Sequence, residues 1–306
     1  MMKLFSFLLL SSVALSLGQG LHFGKYGESS FQLLKLHLSP RVVALGGAGS
    51  ALTGSALEAT ELNPASAYSD SNALYLAHFL NNKEFGAKTS ALTWNLPLYS
   101  YKLFFHSRYI GFGDIDGHRA DKSATLVAYG AHTLKVQTGL AGEYLNVQWG
   151  VAVSYVENNI AFANYRTVVG DVGLLYSPFK NLWIGAGVNN GDIWTSSLLN
   201  EKEKKPIPPT IGRVGLAYLY SVTKEVSVRM VGDARTRNDE KLTFPLGAEV
   251  ICFDMITLRT GYPVLEPESA QDFGVAVKAK RFELDYSLQR HAALSPQHAF
   301  LLKIYY

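Results

Sequence analysis

The residues with the most chemistry in a short space are Asp114, Asp116 and Asp121 in "GDIDGHRAD". Alternating carboxylates of this kind can share one hard cation such as calcium. An EF-hand loop, however, needs an acid or amide where His118 stands and a closing Glu, and this stretch has neither, so a solvated extracellular turn is the competing reading. The eight histidines are scattered, with none at metal-ligand spacing from another. "ALGGAGSALTG" (44–54) has the glycines of a phosphate loop without its Gly-Lys-Ser/Thr ending. There is no G-x-S-x-G elbow and no recognisable Ser/His/acid arrangement. A chain with this inventory is expected to do no covalent chemistry and to need no cofactor or metal.

Composition narrows the partners. Of 306 residues 17% are charged and 48% hydrophobic, and the formal net charge is +3. No Lys/Arg cluster is interleaved with aromatics as a nucleic-acid groove requires, so nucleic acid is excluded as the expected partner. At the N-terminus Lys3 precedes the apolar run "LFSFLLLSSVALSL" and then small residues, the three-part pattern of an export signal, with cleavage expected near Gly18/Gln19. The run is shorter than the ~18 apolar residues that span a bilayer. The lone cysteine, Cys252, has no intramolecular partner and lies far from the cleavage site, so neither a disulfide nor a lipid-modified N-terminus is expected. Downstream no run is long enough for a membrane helix, which leaves a soluble exported protein or an outer-membrane barrel.

The strand pattern separates these two. In "EVSVRMVGD" Val226, Val228 and Met230 alternate with Ser227 and Arg229; in "LTFPLGAEV" Leu242, Phe244, Leu246, Ala248 and Val250 alternate with Thr243, Gly247 and Glu249. The same period of two continues through Phe273 to Lys278, Phe282 to Gln289 and Phe300 to Tyr306, with one greasy face and one polar or small face throughout. Short turns at 96–98, 144–147, 178–181, 221–223, around Phe253 and at 280–281 take turns with longer connections at 110–131, 158–166, 191–208, 235–241, 264–270 and 290–296. A soluble sandwich has no such rule, whereas an outer-membrane barrel does. Adding strands at 72–82 and 86–95 gives an even count of about fourteen. Trp94, Trp149 and Trp183 fall beside short turns, where an interfacial aromatic girdle belongs. The fold expected is all-β: a transmembrane antiparallel barrel of about fourteen strands embedded in outer-membrane lipid, with mixed-sign lumenal residues (Arg229, Glu249, Arg259, Lys278, Glu283, Asp285) forming ion pairs rather than an ion-selective pore.

Residues 19–71 are too rich in small residues to form the wall. They are expected to fill the lumen or its periplasmic mouth as a plug, giving a division into signal (1–18), hatch (19–71) and barrel (72–306). Gly46, Gly47, Gly49 and Gly54 allow close backbone packing, and Pro64 turns the chain after Asn63.

In this segment "FQLLKLHLSPRVVALGGAGSAL...ELNPASAY" resembles the N-terminal signature of the PorV/PorQ group of outer-membrane proteins associated with type IX secretion. The likeness continues through "GFGDIDGH", "GDVGLLYSPFKNLWIGAGVNNGD" and "IPPTIGRVGLAYLY", covering nearly all of the mature chain, although the stretch after "GDIDGH" lacks the Gly/Asn-rich loop usual there. The Asn-Pro-Ala element also resembles that of FadL-type fatty-acid transporters. The residues matching the signature are Arg41, Gly46, Gly47, Asn63, Pro64 and Ala65, for which hatch packing is expected ahead of ligand contact; Asp114, Asp116 and Gly117 are the extracellular-loop candidates. The resemblance implies a fourteen-stranded barrel with an N-terminal hatch. It also implies a non-enzymatic secretion accessory whose partners are cargo proteins with C-terminal sorting domains and other secretion-system subunits. The alternative is a FadL-like transporter holding a hydrophobic ligand in the lumen. The polar or small lumenal faces favour the first, and an apolar cavity bounded by the plug would favour the second. A barrel with a purely structural role would have neither cargo nor ligand.

Overall fold

The computed structural model describes residues 29–80, 87–118, 125–160, 163–197, 206–266, 270–291 and 295–306. The export signal read at 1–18 lies outside them, as does Asp121.

The strands are β1 (Ala73–Leu80), β2 (Lys88–Leu98), β3 (Tyr101–His118), β4 (Thr125–Tyr144), β5 (Val147–Ile160), β6 (Ala163–Phe179) and β7 (Leu182–Ser197). They continue with β8 (Ile211–Ser221), β9 (Val226–Arg237), β10 (Glu240–Cys252), β11 (Ile256–Val264), β12 (Asp272–Ala279), β13 (Phe282–Gln289) and β14 (Gln297–Tyr305). Each pairs antiparallel with its sequence neighbours, and β1 closes on β14 with Leu76 opposite Leu302, so the fourteen strands form a closed barrel. Closure leaves no unpaired edge, the condition for a sheet in hydrocarbon. Trp94 Nε1 donates to the Tyr306 hydroxyl at 2.9 Å across the same seam.

Alternation sorts the side chains. Leu92, Val136, Leu216, Met230, Leu246, Leu258 and Leu284 project outward, while Thr93, Gln137, Ser154, Arg213, Glu249 and Asp285 are buried in the lumen. A sheet that is greasy outside and polar inside is the inverse of a soluble barrel and matches a lipid-facing wall. One end of the barrel carries the tight turns, where Tyr99, Leu145, Asn146, Asn181, Phe253, Asp254 and Lys280 take positive φ. At Leu145–Asn146 both central residues do so, the twist-matched geometry of a two-residue hairpin. By the loop-length rule this end is periplasmic.

Three details differ from the sequence reading. The first tight turn is Tyr99–Ser100 rather than 96–98: β2 runs through Pro97, which is tolerated because the ladder to β1 has already ended at Leu74 opposite Trp94. The connection read at 110–131 is mostly strand, since β3 runs to His118 and β4 starts at Thr125; β7 likewise continues to Ser197. Above the membrane neither face needs to be greasy, so alternation carries no signal there. Finally, Trp94 and Trp149 point outward beside tight turns, but Trp183 lies in register with Ala217 and packs inward against the cluster that Leu45, Ala48 and Leu52 form with Ala217 and Val231. Its partner surface is the segment inside the barrel, which local spacing does not reveal.

Candidate functional site: a hatch between two chambers

Residues 29–72 run through the lumen. The chain makes a 3-10 turn (Gln32–Lys35), a short helix α1 (Pro40–Ala44), a second helix α2 (Ala56–Glu61) and a 3-10 turn (Pro64–Ala67). Ser39 caps α1, its hydroxyl accepting from Val42 N at 3.4 Å, with Pro40 in the first turn where its missing N–H costs nothing. Asn63 works harder. Its Oδ1 caps the following turn by accepting from Ala65 N at 3.1 Å, and its Nδ2 donates to Ser50 O (2.7 Å) and to Leu174 O on β6 (2.9 Å). The Asn-Pro-Ala element is thus a cap, a turn and a staple to the wall at once.

The hatch lies flush against the barrel because lumenal positions facing it are glycine. A Cβ on Gly150 would strike Pro64, on Gly173 Asn63, on Gly185 the Ser50 carbonyl, and on Gly261 the Leu45–Gly46 peptide. These glycines sit opposite one another across strands, as Gly150 with Gly173 and Gly247 with Gly261. From the hatch side, Gly46 has φ 67° and comes so near β11 that a Cβ would lie 2.6 Å from Tyr262 N. Gly47 (φ 86°) turns beside His37 and Arg235. Only glycine meets both demands without strain.

Charge holds the two parts together on the periplasmic side. Arg41 forks onto Glu249, Nε to Oε1 at 2.7 Å and Nη2 to Oε2 at 2.8 Å. Arg229 and Arg259 bind the same carboxylate at 2.6 and 2.8 Å, and Arg259 also binds Asp285. Burial works against the Arg41 charge, but the Glu249 carboxylate outweighs it and holds the guanidinium above its ordinary range. Nearby, Asp70 accepts from Ala56 N at 3.0 Å, from the Tyr75 hydroxyl and from Asn95 Nδ2 at 3.2 Å, with Lys303 at 3.3 Å.

The hatch divides the lumen. On the periplasmic side a chamber of about 290 Å³ is walled by the Arg41–Glu249 cluster, Lys278, Glu283, Lys303 and Tyr305. On the extracellular side a chamber of about 200 Å³ is lined by Leu36, Leu38, Val43 and Gly46 of the hatch, by Phe79 and Pro263, and by Lys35, His37, Arg108, Arg235 and Arg237. The two share no lining residue. His37 Nδ1 lies 3.7 Å from Glu61. Burial, reinforced by Arg213, Arg235, Arg237 and Arg108, keeps its imidazole well below the usual range and therefore neutral.

Of the residues singled out from the sequence, the structure brings Arg41, Gly46, Gly47, Asn63, Pro64 and Ala65 together within the hatch, where each makes a packing or anchoring contact. Asp114, Asp116 and Gly117 lie apart, in the extracellular extension of β3 paired with β4, a strand rather than a loop. Among the described residues no cluster of His, Cys, Asp and Glu could hold a metal ion. The arginines of the outer chamber escaped sequence reading, although Asp233, Arg235 and Arg237 at steps of two in "DARTR" put three charges on one lumenal face.

No protein-family model matches the chain, and no curated protein matches it. Solved structures do. The toluene transporter TbuX of Ralstonia pickettii aligns with a TM-score of 0.61 at 14% identity, over 90% of this chain and 100% of that one. The toluene transporter TodX of Pseudomonas putida gives 0.57 at 14% identity, over 91% and 97%. The CymD monoaromatic hydrocarbon channel gives 0.55 at 11% identity, over 89% and 98%. The chain has the fold of these hydrocarbon channels. None of the three is a type IX secretion protein.

Proposed function

We propose that this protein is an outer-membrane uptake channel for small, largely apolar solutes, in which the N-terminal segment is a hatch that separates an outer binding chamber from a periplasmic exit chamber. The observation that carries the reading is the outer chamber itself. It is bounded by the plug and floored with Leu36, Leu38 and Val43, with Phe79 and Pro263 from the wall, and it is about 200 Å³ in volume. About 150 Å³ is enough to hold benzene, and here that space joins an apolar floor to charged walls that include Lys35, Arg108, Arg235 and Arg237. The polar lumen counted in favour of a secretion accessory, but its charges on the periplasmic side are spent on fixing the hatch. The transported solutes of the structural neighbours, toluene and other monoaromatic hydrocarbons, suit a chamber of this size.

The test is transport by purified protein in liposomes. Labelled toluene trapped by an internal acceptor should accumulate faster than in protein-free liposomes and saturate with concentration, while a sugar of similar size should not enter. Equal rates with and without protein would remove the proposal.

A further inference from the structure

The outer chamber holds more positive charge than its carboxylates answer. Lys35 is taken by Asp239 and Glu240, Arg235 by Glu266, and one nitrogen of Arg237 by Glu240. Glu61 is committed to the backbone N–H groups of Leu38 and Ser39, and Asp272, also in the lining, accepts from the backbone N–H of Arg290 at 2.9 Å. Arg108 spends only Nη1, on the Leu36 carbonyl at 3.1 Å. Its Nε and Nη2, the Nε of Arg237 and all three nitrogens of Arg213 have no hydrogen-bond partner among the described residues. Arg108 and Arg237 are each 6% exposed and Arg213 2%. Arg213 lies cross-strand from Arg235 and adds its charge from the same stretch of wall.

A guanidinium brings five N–H donors and cannot shed its proton, so burying it unpaired is among the costliest arrangements a protein can keep. The periplasmic cluster shows how the same chain satisfies arginines when their role is structural: Arg41, Arg229 and Arg259 all reach carboxylates. Arg108 reaches no carboxylate among the described residues, Arg237 commits one nitrogen to Glu240, and both line the open chamber.

We propose that the outer chamber selects a compact organic anion, a carboxylate on a body the size of one aromatic ring. Its carboxylate bridges Arg108 and Arg237, and its ring lies on Leu36, Leu38 and Phe79. The inference rests on the uptake reading and deepens it: among small aromatic solutes the chamber prefers the acid to the neutral hydrocarbon. Forked pairing of guanidinium with carboxylate supplies the recognition, and the volume of about 200 Å³ admits one ring but no long chain.

The experiment is calorimetric binding of benzoate and, in parallel, benzyl alcohol to the intact barrel in a non-ionic detergent, with wild type, Arg108→Gln and Arg237→Gln. Benzoate should bind more tightly than benzyl alcohol. Each substitution should weaken benzoate about tenfold, as expected for one lost charged contact, and leave benzyl alcohol nearly unchanged. Benzoate binding no tighter than benzyl alcohol, or equal loss for both ligands, overturns the proposal. If Arg108→Gln does not yield a heat-modifiable folded barrel, Arg237→Gln decides by the same criterion. Failure here is distinguishable from failure of the uptake reading. Toluene crossing liposomes while benzoate does not bind removes only the anion. Benzoate bound through these arginines, with neither solute crossing, removes transport and leaves an anion-binding site.

Discussion

Arg41 of the hatch and Glu249 of β10 form a two-pronged ion pair, Nε to Oε1 at 2.7 Å and Nη2 to Oε2 at 2.8 Å, with Arg229 and Arg259 closing on the same carboxylate. The arrangement is asymmetric, and the asymmetry is testable. Removing Glu249 takes the shared carboxylate from three arginines, leaving Arg229 with none, Arg259 with Asp285 and Arg41 with the more distant Glu58, whereas removing Arg41 leaves Glu249 with two partners. Glu249→Gln should therefore cost about 3–5 kcal/mol and Arg41→Met about 1–2 kcal/mol. Thermal unfolding in detergent, followed by circular dichroism, gives the order; an Arg41 variant less stable than the Glu249 variant would contradict it.

Asn63 offers a sharper contrast. Asn63→Ala loses one capping acceptor and two donated bonds, at about 1–3 kcal/mol. Asn63→Asp keeps the cap to Ala65 N but turns an oxygen toward the carbonyls of Ser50 and Leu174. The aspartate variant should be the less stable of the two, and its hatch should be cut sooner in limited proteolysis. The reverse order would mean that the staple to Leu174 contributes little.

Gly185 tests how closely the hatch is seated. The Ser50 carbonyl occupies the space of its side chain, so Gly185→Leu cannot be absorbed by moving a flexible tip. Overpacking of this kind costs about 1–3 kcal/mol, and the hatch must lift from β7. The expected result is a rise in single-channel conductance over wild type in planar bilayers. Wild-type conductance together with wild-type stability would show that the contact is slack.

Much of this fold is legible in the sequence because hydrocarbon imposes a strict rule on the wall. Leu246 and Glu249 differ in face as their parity requires, and Arg229, Glu249, Arg259 and Asp285 pair within the lumen as their mixed signs suggested. Where that rule lapses, so does the reading. The β3–β4 extension beyond the membrane had no greasy face to betray it, and Trp183 looked like a girdle residue because its spacing from a turn says nothing about what fills the barrel. The outer chamber was missed for a related reason. Arg108 on β3 and Arg237 on β9 are far apart in sequence and meet only because the barrel closes around the hatch. The glycines at 150, 173, 185 and 261 carry no signal in the sequence, because their meaning lies in the hatch atoms they admit.

Acidity should act on the hatch through Glu61. Burial pushes its carboxyl up to about 7, against the opposing pull of Arg108 and the N–H groups of Leu38 and Ser39. A folded pKa raised above the unfolded one contributes stability that is complete below the unfolded value, near 4.5, and is lost as pH rises through about 7. His37, held low, has the opposite dependence and loses its contribution as pH falls below its ordinary value. The difference in stability between wild type and Glu61→Gln isolates the first limb and should fall by about 1–3 kcal/mol from pH 5 to pH 8. Urea titrations at several pH values measure it; a difference that is flat or rises with pH would contradict the burial of an ionisable Glu61.

The central claim, that the chain carries small aromatic solutes across the outer membrane, is tested most directly by deleting its gene and measuring uptake of labelled toluene and benzoate, with the periplasm and medium sampled for secreted proteins. Uptake that falls and returns with the wild-type gene, while secreted proteins reach their destinations, is the result predicted. Unchanged uptake, with proteins bearing C-terminal sorting domains accumulating in the periplasm, would contradict the account and return the chain to the secretion role its N-terminal signature resembles.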